Sequence, residues 1–312
     1  MPPRLGYLLP TREQIIEGRP QTGPLLRLAE KAEALGYDSV WIGDSLLARP
    51  RHEPLTLLAG VAARTSRVAV GTAVLLPAMR NPVLIAHQVA TLDRLSEGRV
   101  ILGVGIAGDG PSIRAEFRAS GVPFEKRVGR MIEGLSLCRA LWSGEPVDWD
   151  GRWQVERGVI GPTPHRPGGP PIWAGGGVQA SRLRAARHYD GWFPNGLPPE
   201  IWKAGMSEVR EAAADAGRDP AALTGAAYLT LTLDEDAARA DARLNDFLQR
   251  YYNQRPEALR QRQLMYAGPA AGAAALLHEY AEAGVDHLVL RLVGDHDRLL
   301  EQVARMRSEL GW

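Results

Sequence analysis

Three consecutive glycines, Gly175, Gly176 and Gly177, stand between the apolar run "PIWA" and the helix-like stretch "VQASRLRAARH". Glycine loses more conformational freedom on folding than any other residue, so a run of three needs a reason. Free N–H groups at a helix start bind anions, and missing Cβ atoms let a phosphate approach the backbone closely. A tight turn would account for two of the three. The third, in a chain poor in charged catalytic groups, tilts the reading towards a phosphate cradle that runs on into Val178.

Other residue types narrow the chemistry. The 312 residues include three lysines, Lys31, Lys126 and Lys203, all in helical pattern, so none stands at a strand end as a Schiff-base lysine would. Seven histidines form no HxH pair and no HExxH, and no metal centre is expected. "GDHD" at 294–297 offers carboxylates to a cation, but reads better as the cap of the following helix. "GVGIAGDG" at 103–110 is a lone glycine motif and a weak signal. His87 falls mid-helix and is expected to pack. The single cysteine, Cys138, excludes an intramolecular disulfide and reads as a buried helix position.

These residues need a scaffold, and alternation supplies it. Apolar runs at "RLGYLLP", "YDSVWIG", "RVAVGTAVLL", "RVILGVG", "PIWAG", "GWFPN", "TGAAYLTLTL" and "DHLVLRLV" make eight strands separated by helical pattern. The strands are continuously apolar rather than alternating, as in a parallel sheet buried on both faces. "AEALGYDSVWIGD" at 32–44 and "AEAGVDHLVLRLVGD" at 281–295 echo each other as helix end, turn and strand. A (β/α)8 barrel is expected, as one domain over 1–312. A doubly wound open sheet is the runner-up, but "YLLPTREQ" lacks its glycine turn. Two stretches exceed a minimal barrel and read as insertions after the fourth and seventh strands: 143–170, a Pro/Gly/Trp-rich excursion with hairpin character, and 234–268, a long charged helical segment that is a candidate lid or subunit contact.

Barrel ligands sit at strand C-termini. Those ends carry Asp44 and Ser45, Ala73 to Asn81, Gly105 to Asp109, the glycine triplet, Asn195, and Asp295 to Asp297. The net charge is +1, from 37 basic and 36 acidic residues without a basic block, so neither nucleic acid nor a membrane is an expected partner. The longest nearly apolar stretch, 68–79, is well short of the roughly 20 residues of a membrane span. The opening "MPPRLGYLLPTREQ" turns polar too soon for a signal peptide, and a cytoplasmic protein is expected.

The segment "GTAVLLPAMRNPVLIAHQVATLDRLSEGRVILGVGIAG" at 71–108 resembles the luciferase-like flavin- and deazaflavin-dependent oxidoreductases, among them bacterial luciferase and coenzyme F420-dependent enzymes. "LAEKAEALGYDSVWIGDS", "GVPFEKRVGRMIEGLSLCRALWSGEPV" and "PPIWAGGGVQASRLRAARHYDGWFPNG" match as well, so the resemblance covers nearly the whole chain. It implies a barrel that binds FMN or F420, with the ring on the third strand near Ala73 and Val74. The cofactor phosphate would rest on Gly175, Gly176, Gly177 and Val178, with Gly105 and Asn195 bordering the site. It also places a bulge behind the ring, often with a non-proline cis peptide, and the matching bond is Ala73–Val74.

Departures from the family pattern shape the rest. Many relatives carry a histidine after the second strand's acidic residue, where this chain has Asp44 followed by Ser45. Deazaflavin dehydrogenases often place a glutamate after the fourth strand, whereas here none occurs before Glu116. Asp44 and Ser45 are therefore the catalytic candidates beside the ring, with capping of the loop as the alternative for Asp44. Arg80 either reaches a cofactor carboxylate or faces solvent. The implied activity is FMNH2/O2 monooxygenation or F420 hydride transfer on a small organic substrate; a non-catalytic flavin-binding protein of the same fold is the alternative. The Ala/Arg-rich composition with few lysines leans towards F420. A flavin or F420 reductase and further copies of the chain are the expected partners.

Overall fold

A computed structural model describes residues 2–312. The chain begins with β1 (Arg4–Leu8), α1 (Thr11–Ile16), α2 (Thr22–Ala34), β2 (Ser39–Ile42), α3 (Pro54–Arg64) and β3 (Ala69–Thr72). It continues with α4 (Pro82–Leu95), β4 (Val100–Val104), α5 (Pro111–Ala119), α6 (Arg127–Leu141), β5 (Val147–Asp150) and β6 (Gln154–Gly158). Then come β7 (Ile172–Gly175), α7 (Gln179–His188), β8 (Gly191–Phe193), α8 (Pro199–Asp215) and β9 (Thr224–Leu233). The last stretch holds α9 (Ala237–Tyr252), α10 (Pro256–Arg260), β10 (Met265–Gly268), α11 (Ala270–Glu282), β11 (His287–Leu292) and α12 (His296–Glu309).

Strand order defines the fold. The main sheet runs β10-β9-β11-β1-β2-β3-β4-β7-β8, and β8 pairs back onto β9. Eight parallel strands therefore close a ring, a (β/α)8 barrel, and these are the eight strands expected from the sequence. The ninth, β10, is an addition. β9 spans ten residues, so its first part pairs with β8 and its second with β10. The antiparallel hairpin β5–β6 accounts for the excursion at 143–170. The stretch 234–268 folds as α9, α10 and β10. Of the lysines, Lys31 and Lys203 lie in α-helices, while Lys126 closes a 3₁₀ turn before α6.

Contacts divide the chain into two compact units, Met1–Trp41 with Trp173–Trp312, and Ile42–Ile172. In the first unit an aromatic cluster fills one face of the sheet. Trp41 lies 5.5 Å from Trp173, 5.3 Å from Phe193 and 5.6 Å from His287, ring centre to ring centre. Ser39 Oγ stands 2.6 Å from His287 Nε2 and accepts from Trp41 Nε1 at 2.6 Å. Gly6 makes room for this network, since a Cβ there would fall 2.5 Å from Ser39 Oγ. Burial, helped by the charge of Arg4, pushes the His287 imidazole down to about 3.

In the second unit one arginine organises a helix end. Arg99 donates to the carbonyls of Ala62 and Thr65 (both 3.0 Å), Val68 (2.8 Å) and Ser96 (2.7 Å). The end of α3 exposes carbonyls with no helical partner, and the guanidinium fork satisfies them. Start signals are also literal: Glu53 caps α3 by accepting from Thr56 N, and Asn81 caps α4 by accepting from Val83 N.

Candidate functional site

The second unit supplies the ends of β2, β3 and β4. β3 stops at Thr72, and its ladder resumes only at the Leu75–Val104 bridge, leaving Ala73 and Val74 outside the strand and half-buried. The Ala73–Val74 peptide bond is cis. Ala73 N donates to Ile42 O at 2.8 Å, Thr72 Oγ1 donates to Gly103 O at 2.7 Å, and Gly105 N donates to Leu75 O at 2.9 Å. A Cβ on Gly105 would lie 2.6 Å from Val74 Cγ2, so glycine there is what lets Val74 sit over the β4 end.

Asp44 and Ser45 follow β2, and both are occupied. The Asp44 side chain is 1% exposed and forms a bidentate pair with Arg80, Nη1 to Oδ2 at 2.5 Å and Nη2 to Oδ1 at 3.0 Å. Its Oδ2 also accepts from Leu76 N at 2.9 Å. Burial works against the Arg80 charge, but Asp44 and then Glu53 outweigh it and hold the guanidinium above its ordinary value. Arg80 thus neither faces open solvent nor is left free for a cofactor carboxylate. Ser45 Oγ donates to Glu116 Oε2 at 2.8 Å and accepts from Arg49 N at 2.9 Å.

Glu116 is the residue that sequence reasoning passed over. It is fully buried in α5, and its Oε2 also accepts from Leu47 N at 2.7 Å and Ala48 N at 2.8 Å. Oε1 is buried without a hydrogen-bond partner. One carboxylate oxygen thereby pins the whole start of the loop after β2. Asp109, further along the β4 end, is exposed and paired with Arg114.

The first unit supplies the glycine triplet after β7. Gly176 has φ +105, a backbone conformation that favours glycine, and a Cβ there would meet Ser181 at 3.0 Å. Trp192 Nε1 donates to Gly176 O at 2.8 Å and Arg182 Nη1 to Gly177 O at 2.6 Å. The carbonyls are therefore held by side chains. Among the described residues, the backbone N–H groups from Gly176 to Ala180 find no acceptor. Val178, 69% exposed, is the N-cap of α7 without a side-chain cap. Asn195 is exposed beyond β8, bridged through its backbone to Tyr228. Trp192 and Phe193 are core, and Trp192 also holds the triplet.

The remaining candidates settle simply. Asp295 is the N-cap of α12, accepting from Arg298 N. His296 beside it is half-buried, its Nδ1 2.9 Å from Tyr7 OH, and desolvation pushes it down to about 4. His87, expected to pack, is exposed on α4 instead. Cys138 is buried in α6, and burial pushes its thiol up to about 12. Among the described residues no group of three or more His, Cys, Asp or Glu could hold a metal ion, and no helix is long and apolar enough to cross a membrane. A cavity of about 690 Å³ opens among α1, α2, α9 and the start of α12, with Glu13, Arg27, Lys31, Arg243 and His296 in its wall. It shares no residue with the expected cofactor set.

Comparison with known proteins adds the following. The family description "luciferase-like monooxygenase" matches residues 3–311. An F420-dependent glucose-6-phosphate dehydrogenase of Amycolatopsis mediterranei is 31% identical over 313 residues, covering 90% of this chain and 93% of the relative. A 5,10-methylenetetrahydromethanopterin reductase of Methanolobus tindarius is 31% identical over 220 residues, 70% of this chain and only 64% of its own length. Among solved structures, an F420-dependent secondary alcohol dehydrogenase in complex with an F420–acetone adduct superposes with a TM-score of 0.83 at 21% identity, covering 99% of both chains. A monooxygenase from Streptomyces bottropensis superposes with a TM-score of 0.80 at 22% identity, covering 98% of both.

Proposed function

The chain belongs to the luciferase-like monooxygenase family, and from that premise we propose that it is an oxidoreductase holding coenzyme F420 or FMN and acting on a small organic substrate. The observation that carries the reading is the run of unpartnered N–H groups from Gly176 to Ala180 at the end of β7, with the neighbouring carbonyls already bonded. A cofactor phosphate is the group that such a run fits. F420 is favoured, because relatives about as long as this chain and 31% identical to it are F420-dependent.

Once bound, the ring supplies hydride transfer as F420 or oxygen activation as reduced FMN. The chain's own residues bind and orient. Gly176, Gly177 and Val178 would hold the phosphate through their backbone N–H groups. Ala73 and Val74 would hold the cofactor ring at the end of β3, where Gly105 leaves room for Val74. Asn195 and Gly175 border the cofactor. Asp44 and Ser45 act as positioning residues, since Arg80 and Glu116 occupy their polar atoms and fix the strand-end loops. That same occupation favours a second reading, a flavin-binding protein without turnover.

Titrating the purified protein with F420 and with FMN, followed by absorbance, tests the first step. Binding of F420, with oxidation of F420H2 or reduction of F420 by an added substrate, is expected. Binding without turnover over a broad substrate panel would favour the second reading, and binding of neither cofactor would overturn both.

A further inference from the structure

One buried charge in the first unit has no carboxylate in direct ion-pair contact, although the charge of Glu13 acts on it from further away. Arg291 lies near the C-terminal end of β11, 6% exposed, between the apolar residues of "LVLRL". A guanidinium stays protonated in proteins, so this is a permanent buried cation. Its Nη1 donates to Tyr252 OH at 2.7 Å and its Nη2 to Tyr251 OH at 3.1 Å. The rings of Tyr251 and Tyr228 lie 4.4 Å and 5.3 Å from the guanidinium carbon. Nε is buried and has no partner, and among the described residues no carboxylate pairs with Arg291. Two neutral phenols and aromatic faces compensate a buried cation only in part.

The neighbouring strand repeats the pattern. In the register of β9 with β11, Thr230 stands opposite Arg291. Tyr228 and Thr232 flank it at alternate positions, on the same face of β9. All three are buried, and the hydroxyls of Tyr228 and Thr232 have no hydrogen-bond partner. Buried polar atoms are normally satisfied, so three orphans on two adjacent strands point to a group from outside the chain. A fixed positive fork beside free hydroxyls suits an anion and repels a cation.

We propose that Arg291, with Tyr228 and Thr232, recognises an anionic group of the substrate, a carboxylate or a phosphate monoester. This rests on the oxidoreductase reading above and names its substrate class. The guanidinium offers two N–H donors to two oxygens of the anion, and the two hydroxyls donate to the same oxygens. Tyr251 and Tyr252, at the end of α9, hold the fork in the absence of an anion. Arg291 is then a specificity residue rather than merely the anchor of α9.

The test is titration of benzoate and phenyl phosphate, at constant ionic strength, into the wild type and into Arg291→Gln, Tyr228→Phe and Thr232→Val. Each is also run in the Gly176→Asp background, where the glycine cradle is blocked. Calorimetry reads anion affinity, and F420 absorbance on the same samples reads cofactor binding. The proposal expects one of the two anions to bind, at least tenfold more weakly to Arg291→Gln and several-fold more weakly to Tyr228→Phe and Thr232→Val. Cofactor binding by these three variants in the Gly176 background should be unchanged. The preferred probe distinguishes carboxylate from phosphate. If Arg291→Gln does not fold, the two hydroxyl variants decide. Equal binding by wild type and variants, or no binding of either anion, would overturn the proposal. Arg291-dependent anion binding without F420 binding would sink the cofactor reading and leave the anion site standing.

Discussion

The two units differ in what their strand-end polar groups leave over: the second leaves an acceptor, Glu116 Oε1, and the first leaves donors. In the second unit most of these side-chain atoms are committed: Asp44 to Arg80 and Leu76, Ser45 to Glu116 and Arg49, and Glu116 Oε2 to three donors at once, with only its Oε1 left unpaired. In the first unit donors are left over: the N–H groups from Gly176 to Ala180, Arg291 Nε, and the hydroxyls of Tyr228 and Thr232. Committed groups hold loops, and surplus donors wait for acceptors. On the proposed function, the committed residues position the loops and the residues with surplus donors bind the ligand.

The largest expected effect breaks the surplus. Gly176→Asp places a negative charge among the free N–H groups and should weaken F420 binding by more than about a hundredfold, the scale of two lost charge-assisted hydrogen bonds. Gly176→Ala is the control, since it carries the backbone strain without the charge. It should lower Tm and spare more of the affinity. Equal affinity for wild type and Gly176→Asp would remove the cradle.

Breaking a commitment should cost stability first. Asp44→Ala leaves Arg80 buried without its bidentate partner and should destabilise the fold by about 3 kcal/mol, measured by urea unfolding. A normal unfolding midpoint with a large loss of kcat would instead make Asp44 a proton carrier and erase the contrast between the units.

Acid provides a third probe, directed at the first unit. His287 and His296 are held down to about 3 and about 4, mainly by desolvation. Below the unfolded value of about 6.5 the unfolded chain takes up protons that the fold refuses. Their contribution is therefore present above about pH 6.5 and is lost as pH falls, towards 4 for His296 and towards 3 for His287. At pH 5 the expected loss is about 2 kcal/mol per histidine. Thermal unfolding at pH 7 and pH 5 reads it, and His296→Gln should flatten part of the slope. Identical stability at the two pH values would contradict the desolvated neutral state.

The smallest effect concerns the β3 end. Gly105→Ala forces Val74 aside and should cost about 1 kcal/mol of stability, with a modest loss of cofactor affinity. An affinity loss as large as that of Gly176→Asp would move the main binding role to the second unit.

The sequence exposed some of this contrast and hid the rest. The eight ring strands were legible because each is a short apolar run closed by a turn. The fourth residue of β10 is the only one that is buried, so that strand left no apolar signature. The glycine triplet was legible because a backbone that reaches φ +105 at Gly176 is marked by glycine's identity. Commitment was not. Arg80 and Asp44 are 36 positions apart and Ser45 and Glu116 are 71 apart, so only folding reveals that they satisfy each other. Arg291 did leave a trace, as a charge between apolar strand residues, but its lack of a paired carboxylate is a property of the packed state.

The central claim is that the N–H groups after β7 receive the cofactor phosphate. Amide hydrogen exchange across 176–180, with and without saturating F420, tests it most directly. These amides, unbonded in the free protein, should exchange fast and become protected on binding, while the β5–β6 hairpin stays unchanged. F420 binding that leaves exchange at 176–180 as fast as before would contradict the account.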